Sequence, residues 1–282
     1  MEDVLIVGSG PAGLTAGLYA ARAGARPLVL EGLEPGGQLL QTRHVANFPG
    51  FSGDVAGEAI IAALRRQAEA AGVRFALDAV ESVDFAGPVK RLATLMGETR
   101  EARTVVVATG AGVRKTGLPG EAAYWGRGLS ACLVCDGAFY AGRRVVVVGE
   151  GPAARGAEAY LARCGAVVAA TCPVAGIAAF EGDGTRLSGV ARRDGRPPIA
   201  CEGAFLVTAR VPQTAFLGTA LARDADGYVV VSGAATSAPG VFAAGDCARP
   251  RHKQAVIAAG DGAVAALEAL AFLARARTAD RP

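Results

Sequence analysis

Val4 to Gly32 reads VLIVGSGPAGLTAGLYAARAGARPLVLEG, and its order of elements decides the fold. Val4 to Val7 is a short apolar run of the kind found in fully buried parallel strands. It ends in GSGPAG, Gly8 to Gly13, a helical pattern follows (LTAGLYAARAG), and a second strand, ARPLVLEG, finishes at Glu31. These are the parts of a dinucleotide-binding βαβ unit. Gly8 permits the tight turn, Gly10 lets the backbone approach a pyrophosphate, and Gly13 lets helix and strand pack closely. The helix N-terminus then offers unpaired N–H groups and a positive dipole end to phosphates. Glu31 stands where a carboxylate accepts hydrogen bonds from ribose hydroxyls. It would repel a 2′-phosphate, so the expected ligand is FAD or NAD rather than NADP. A glycine turn with no ligand is the bland alternative, and the ordered sequence strand, turn, helix, strand, Glu argues against it.

Working outward, 282 residues suffice for one large domain or two ordinary ones. Hydrophobic residues make up 51% and charged residues 20%, which permits a large core and argues against disorder. A net charge of +3 without blocks of like charge gives no sign of nucleic acid or membrane-surface partners. The chain enters its first strand at once, and the uncharged stretch Gly165 to Phe180 is too short to span a bilayer and contains Pro173. A soluble, cytoplasmic protein is expected. The six cysteines of such a chain are not expected to form a structural disulfide framework, and four of them read as small buried hydrophobes.

The other two, Cys132 and Cys135, form a C-x-x-C with Asp136 directly after, in SACLVCDGAFY. Cysteines at this spacing can close a small disulfide ring and exchange it by thiolate attack. An adjacent carboxylic acid can donate or accept the proton the cycle requires. A structural zinc would need a second pair of ligands. With only His44 and His252 and no other close cysteine pair, the sequence supplies none.

At the far end, TSAPGVFAAGDCA (Thr236 to Ala248) is a strand running into Gly245-Asp246, and KQAVIAAGDGAVAALEAL opens a long helix. This resembles the second flavin-binding motif of the two-dinucleotide-fold flavoproteins. TVVVATGAG, Thr104 to Gly112, resembles the strand and ATG turn that lead out of their first FAD segment. Together with GGQLLQTRHVANFPG, VVVATGAGVRKTGLPGE and GRGLSACLVCDGAFY, these motifs occur in one order over nearly the whole chain, and the sequence looks like a low-molecular-weight, bacterial-type thioredoxin reductase.

The resemblance implies an α/β, two-dinucleotide-binding-domain flavoprotein. Residues 1–111 and 212–282 would form a discontinuous FAD domain. Residues 112–211 would be an inserted, shortened NAD(P)-type domain carrying the redox CxxC. It implies FAD held by Gly8, Ser9, Gly10, Pro11 and Ala12, by Glu31, by Gly37, Gln38 and Leu39, and by Asn47. Thr109, Gly110, Gly245, Asp246, Lys253, Gln254 and Ala255 complete the implied site. It also implies Cys135 as the sulfur beside the flavin, Cys132 as the thiol that attacks a thioredoxin disulfide, and Asp136 as the acid. Members are typically homodimers whose central domain swings. Lys253 replaces the family's usual Arg at a flavin contact, a conservative change.

A second glycine turn, VVVVGEGPAA (Val145 to Ala154), keeps the spacing at Gly149, Gly151 and Ala154, with a helix (RGAEAYLARCG) and a strand (AVVAA) behind it. In the family the second strand ends in a His-Arg-Arg run that grips the 2′-phosphate of NADPH. Here those places hold Thr171, Cys172 and Pro173, and no basic residue occurs between Gly165 and Phe180. No Glu or Asp ends the strand, so the usual NAD contact is missing as well. Glu150 lies inside the turn, where a carboxylate facing pyrophosphate would repel it. SGVARRDG arrives almost at once, so part of the domain is deleted. Ala209 and Arg210 stand where the family has Gly-His. Four departures in one domain argue for loss of NADPH binding.

The expected activity is then FAD-dependent reduction of a thioredoxin-like disulfide, with electrons from a donor other than a pyridine nucleotide, such as reduced ferredoxin. No cluster-binding cysteines are present, so any iron–sulfur centre belongs to the partner. The alternatives are an NAD(P)H-dependent reductase with an altered site, and a flavin thiol oxidase that passes electrons to oxygen. GGQLLQT follows the reductase pattern and speaks against the oxidase. A non-catalytic flavoprotein is disfavoured by the intact Cys132, Cys135 and Asp136.

Overall fold

The computed structural model describes residues 1–33, 35–42, 44–248 and 251–279. They form two compact units. The first comprises residues 1–40, 56–112 and 211–282, and the second 41–55 and 113–210. The 41–55 segment, which the sequence reading kept with the FAD-binding part, therefore groups with the other unit.

In chain order the first unit begins with β1 (Glu2–Val7), α1 (Pro11–Arg22), β2 (Pro27–Leu30), α2 (Gly57–Ala70), β3 (Arg74–Ala76), β4 (Val80–Asp84), β5 (Lys90–Thr94) and β6 (Thr99–Val107). The chain leaves it through β7 (Ala111–Val113). The second unit contains α3 (Glu121–Tyr124), β8 (Leu129–Ser130), α4 (Leu133–Asp136), β9 (Arg144–Val148), α5 (Gly151–Arg163), β10 (Val167–Cys172), β11 (Ile177–Gly182), β12 (Leu187–Arg192), β13 (Ile199–Ala200) and β14 (Gly203–Leu206). The chain returns through β15 (Arg210–Pro212), and β16 (Val241–Ala243) and α6 (Ala255–Ala279) complete the first unit.

The first sheet has the order β3-β2-β1-β6-β5-β4, with β16 also pairing β6. The pairings among β1, β2, β3, β6 and β16 are parallel, while β5 pairs antiparallel with both β4 and β6. Both faces of β1 are buried, as expected for a parallel strand covered on two sides. Val4 and Ile6 join α1 and α6 in one core, and Leu5 and Val7 join Leu217, Val229 and Val241 in another. By length and composition α6 could cross a membrane over Ala255–Ala276. Its Ala258, Ala265, Ala266, Ala269 and Leu273 are buried in the core that contains Ala12 and Ala16 of α1.

In the second unit a parallel sheet, β10-β9-β14-β8, carries alternate residues of β9 into two cores. A separate antiparallel sheet, β11-β12-β13, follows. Phe205 of β14 is fully buried and meets Tyr140 edge-on at 5.3 Å. Phe205→Ala should cost this unit about 3–5 kcal/mol. The single tryptophan, Trp125, packs against the core of the same unit, so its fluorescence should report an earlier guanidinium transition. An unchanged midpoint would contradict the assignment of Phe205 to the core.

Candidate functional site

The first turn folds as its glycines require. Gly8 has φ 107°, and a Cβ there would overlap the Ala108 carbonyl oxygen. Its N–H donates to Leu30 O at 2.7 Å, which ties the turn to the end of β2. Gly10 caps α1 with φ −70°, and a Cβ on it would meet nothing within 4 Å. Pro11 and Ala12 open the helix, and Gly13 lies where a Cβ would overlap the Gly8 carbonyl. No side chain caps α1 and no acidic residue stands in its first turn. Its leading N–H groups are left for a ligand.

Other expected cofactor residues gather around this turn. A Cβ on Gly37 would lie 3.8 Å from the Gly10 Cα, and one on Gly245 would lie 3.0 Å from the Ala12 Cβ. Gln38 and Leu39 share a short 3-10 turn with Gly37, and the Gln38 side-chain amide donates to the Ala111 carbonyl. Thr109 and Gly110 follow β6. The Thr109 hydroxyl donates to Gln213 O at 2.6 Å, and Gln213 returns its N–H to Gly110 O at 2.9 Å. Asp246 is half-buried in the turn Gly245–Cys247. Lys253 lies with its Nζ 4.3 Å from the centre of the Tyr228 ring, and Gln254 and Ala255 lead into α6. Asn47 is exposed and falls in the 41–55 segment of the second unit.

Two residues do more than the sequence suggests. The Ser9 hydroxyl is spent inside the protein, accepting from Gly36 N at 2.9 Å and donating to Glu31 O at 3.5 Å. Glu31 sits at the end of β2 as expected, but its buried carboxylate is ion-paired with Arg65. Arg65 also holds Glu69 at 2.8 Å and lies 4.2 Å from the centre of the Phe75 ring. The repulsion of a 2′-phosphate by a bare Glu31 charge, expected from the sequence, is therefore offset by this guanidinium. Arg65 was missed because the pairing links residues on different elements, with no local spacing to betray it.

The glycine-lined open space above the N-terminus of α1, with Glu31 at the strand end, fits the phosphates and ribose of FAD. Bound there, FAD would supply reversible two-electron storage. Gly8 to Ala12 would hold the pyrophosphate, and Glu31 the ribose.

The redox pair lies in the second unit. Cys132 and Cys135 form a disulfide with Cα atoms 5.3 Å apart. Cys132 is the N-cap of α4, and its sulfur accepts the Cys135 N–H at 3.3 Å. Ser130, at the end of β8, organises the motif: its hydroxyl accepts from Cys132 N at 3.0 Å and donates to the Asp136 carboxylate. Burial pushes the Asp136 carboxyl above the usual carboxylate range. The Ser130 hydrogen bond and nearby His44 pull it back, and nearby Asp54 adds to the rise. Burial favours the proton-carrying form of this acid, and an acid so placed suits proton exchange with a thiolate. Ser130 lies only two residues before Cys132, a place where a hydroxyl could have been noticed. Arg210, read as a departure, reaches back and donates to Ala131 O at 2.9 Å.

The remaining cysteines are free. Cys201 and Cys247 are buried, and burial pushes the Cys201 thiol up to about 11 and the Cys247 thiol upward as well. Such thiols are poor nucleophiles at neutral pH. Cys164 and Cys172 are half-buried rather than fully buried. Among the described residues no cluster of His, Cys, Asp and Glu could hold a metal ion.

The second glycine turn keeps its spacing but not its conformation. Positive φ falls at Gly151, the first residue of α5, whereas in the first turn it falls at Gly8, before the cap. Glu150 is the exposed cap of α5. Gly149 is close-packed, since a Cβ would lie 2.8 Å from Val207 O. β10 ends in Thr171, bonded to Glu158, and half-buried Cys172. Only residues 173–176 separate it from the antiparallel β11, and β10 is an edge strand of its sheet. Arg192 at the end of β12, and Asp194 and Arg196 in the turn that follows it, come near Cys172. Arg196 is paired to Asp194 and Arg192 donates to Pro197 O at 2.8 Å.

Comparison with known proteins agrees with this architecture. The family model for pyridine nucleotide-disulphide oxidoreductases matches residues 2–174 and 172–262. The thioredoxin reductase of Streptomyces clavuligerus is 37% identical over 305 positions, covering 97% of this chain and 94% of the relative. A bifunctional thioredoxin reductase/thioredoxin of Mycobacterium leprae is 36% identical over 97% of this chain, which spans 66% of that longer protein. Since the 305 positions use 97% of a 282-residue chain, about thirty positions of the Streptomyces protein have no counterpart here. Among solved structures, thioredoxin reductases from Giardia duodenalis (TM-score 0.88, 33% identity, 97% of this chain and 99% of that one) and Streptococcus pyogenes (0.90, 30%, 98% and 99%) share the fold. The chain belongs to the pyridine nucleotide-disulphide oxidoreductase family and is a flavin oxidoreductase of the thioredoxin reductase type.

Proposed function

We propose that this protein reduces a thioredoxin-like protein disulfide through Cys132 and Cys135, using FAD and a donor other than a pyridine nucleotide, such as reduced ferredoxin. Cys132 attacks the partner disulfide, Cys135 is the flavin-side sulfur, and Asp136 exchanges the proton. The observation that carries the donor assignment is the cut-down second dinucleotide unit. β10 passes to β11 through four residues, 173–176, and ends without a cation for a 2′-phosphate or a carboxylate for a ribose. The altered conformation at Gly151 and the exposed Glu150 beside it support the same reading.

We further propose a cytoplasmic homodimer. Val256, Val264 and Leu267 of α6 are 41%, 46% and 55% exposed. Their spacing makes one outward apolar stripe, which a second copy would cover. The mass of the flavoprotein in solution checks this.

One observation favours a second reading. Arg192 and Arg196 near Cys172 could take the place of the missing arginines and admit NADPH once released from Pro197 and Asp194. Anaerobic mixing separates the two. The oxidised flavoprotein should keep its absorbance with micromolar NADPH or NADH and lose it with reduced ferredoxin. Rapid bleaching by NADPH would overturn the donor assignment in favour of the arginine-based site.

A further inference from the structure

Within the second unit a hydrogen-bonded His–Asp pair stands beside the redox centre that the thioredoxin reductase motifs do not require. Val45 and Val55 exchange both backbone hydrogen bonds, at 2.8 and 3.1 Å, and hold the two ends of the 41–55 segment together. The residues flanking this bridge meet: His44 Nδ1 lies 2.6 Å from Asp54 Oδ2. The imidazole ring packs at 5.3 Å against Phe139, three residues beyond Asp136 in the 3-10 turn that continues α4. Both charges act on the Asp136 carboxyl, in opposite directions. The other groups around Asp136 are the Ser130 hydroxyl and the Tyr140 phenol, and Arg210 lies at the Ala131 carbonyl. His44 is exposed, whereas Asp136 is half-buried.

We propose that His44, held by Asp54, is a positioning residue for the redox centre: the pair sets the charge of Asp136 and thereby the pH range in which the Cys132–Cys135 disulfide opens. Opening by a dithiol breaks one S–S bond in the protein and forms one in the dithiol. Two electrons pass to the protein sulfurs, and the two protons given up by the dithiol are taken up at the two cysteine thiolates. Asp136 is the acid nearest to that uptake. An imidazole changes charge between about pH 5 and 8, the range in which such exchange operates. A protonated His44 favours an ionised Asp136, and Asp54 opposes it.

The inference rests on Cys132, Cys135 and Asp136 being the redox centre, and its test distinguishes the two. The flavoprotein is equilibrated in reduced and oxidised dithiothreitol from pH 5.5 to 9, alkylated, and its thiols counted, with the four free cysteines as a constant baseline. The midpoint against pH should show a change of slope that D136N abolishes. H44Q should move that break to higher pH by on the order of half a pH unit or more. D54N added to H44Q should move it back down. A merely structural role for the pair would not produce opposite displacements. A break unmoved by H44Q, or moved the same way by both changes, would overturn the proposal. A wild-type pair that dithiothreitol never reduces would instead overturn the redox centre itself.

Discussion

Serine at position 132 is expected to abolish turnover with a protein disulfide while leaving the flavin bound. Exchange needs a thiolate that can attack sulfur and later leave from it, and a hydroxyl does neither near neutral pH. The Cys132 sulfur caps α4, accepting the Cys135 N–H at 3.3 Å, so a serine oxygen can keep the local fold. The flavin-binding residues around the first turn lie in the other unit, and their packing does not depend on this sulfur. A loss of roughly 1,000-fold or more is expected, as when one member of a catalytic group that acts as a unit is removed. Cys135→Ser should lose turnover equally but differ in kind. Cys132 remains able to attack, and without Cys135 to resolve it the mixed disulfide with the partner should accumulate. The measurement is single-turnover transfer from chemically reduced enzyme to a thioredoxin-like disulfide, with mass analysis of trapped species. Retained turnover in C132S, or a trapped adduct in C132S rather than C135S, would reverse or remove the roles given to the two cysteines.

Much of this site can be read from the sequence because its parts are local. The first turn, Glu31 and the CxxC-Asp each lie within about one supersecondary unit, where spacing fixes geometry. The shortened second domain is legible too, since Cys172 and the SGVARRDG strand stand too close to admit another helix and strand. What sequence spacing hides is pairing across long intervals. Arg65 on Glu31, Arg210 on the Ala131 carbonyl and His44 with Asp54 beside Asp136 follow from tertiary packing alone. Backbone conformation is hidden as well. Gly8-x-Gly10 and Gly149-x-Gly151 look alike, yet the positive φ falls on the first glycine of one pair and the second of the other. Identical spacing therefore predicted a shared strand–turn–helix topology and not a shared phosphate cradle.

Within the first turn, two neighbouring glycines should fail in different ways when replaced by alanine, which separates the fold from its ligand. At Gly13 the new Cβ would overlap the Gly8 carbonyl oxygen, a backbone atom tied through the Gly8 N–H to Leu30 O at 2.7 Å. Neither side can give without parting α1 from β1, so Gly13→Ala should cost more than about 4 kcal/mol and prevent the first unit from folding. Gly262→Ala should behave alike, since its Cβ would overlap the Ala12 carbonyl on the far side of the same helix. Gly10 is the opposite case. Its φ of −70° and ψ of −177° suit any residue, and a Cβ there meets nothing within 4 Å. The protein alone has no reason to notice Gly10→Ala. A pyrophosphate approaching the N-terminus of α1 does, because the methyl occupies the space in which it makes its backbone contacts. Circular dichroism melting of Gly10→Ala apoprotein should match the wild type, while flavin retention, read from the ratio of flavin to protein absorbance, falls by on the order of tenfold, or 1.4 kcal/mol. If Gly10→Ala keeps its flavin at wild-type affinity, the space above α1 is not where the pyrophosphate lies. If Gly13→Ala folds normally, the close packing of turn and helix does not carry the stability assigned to it.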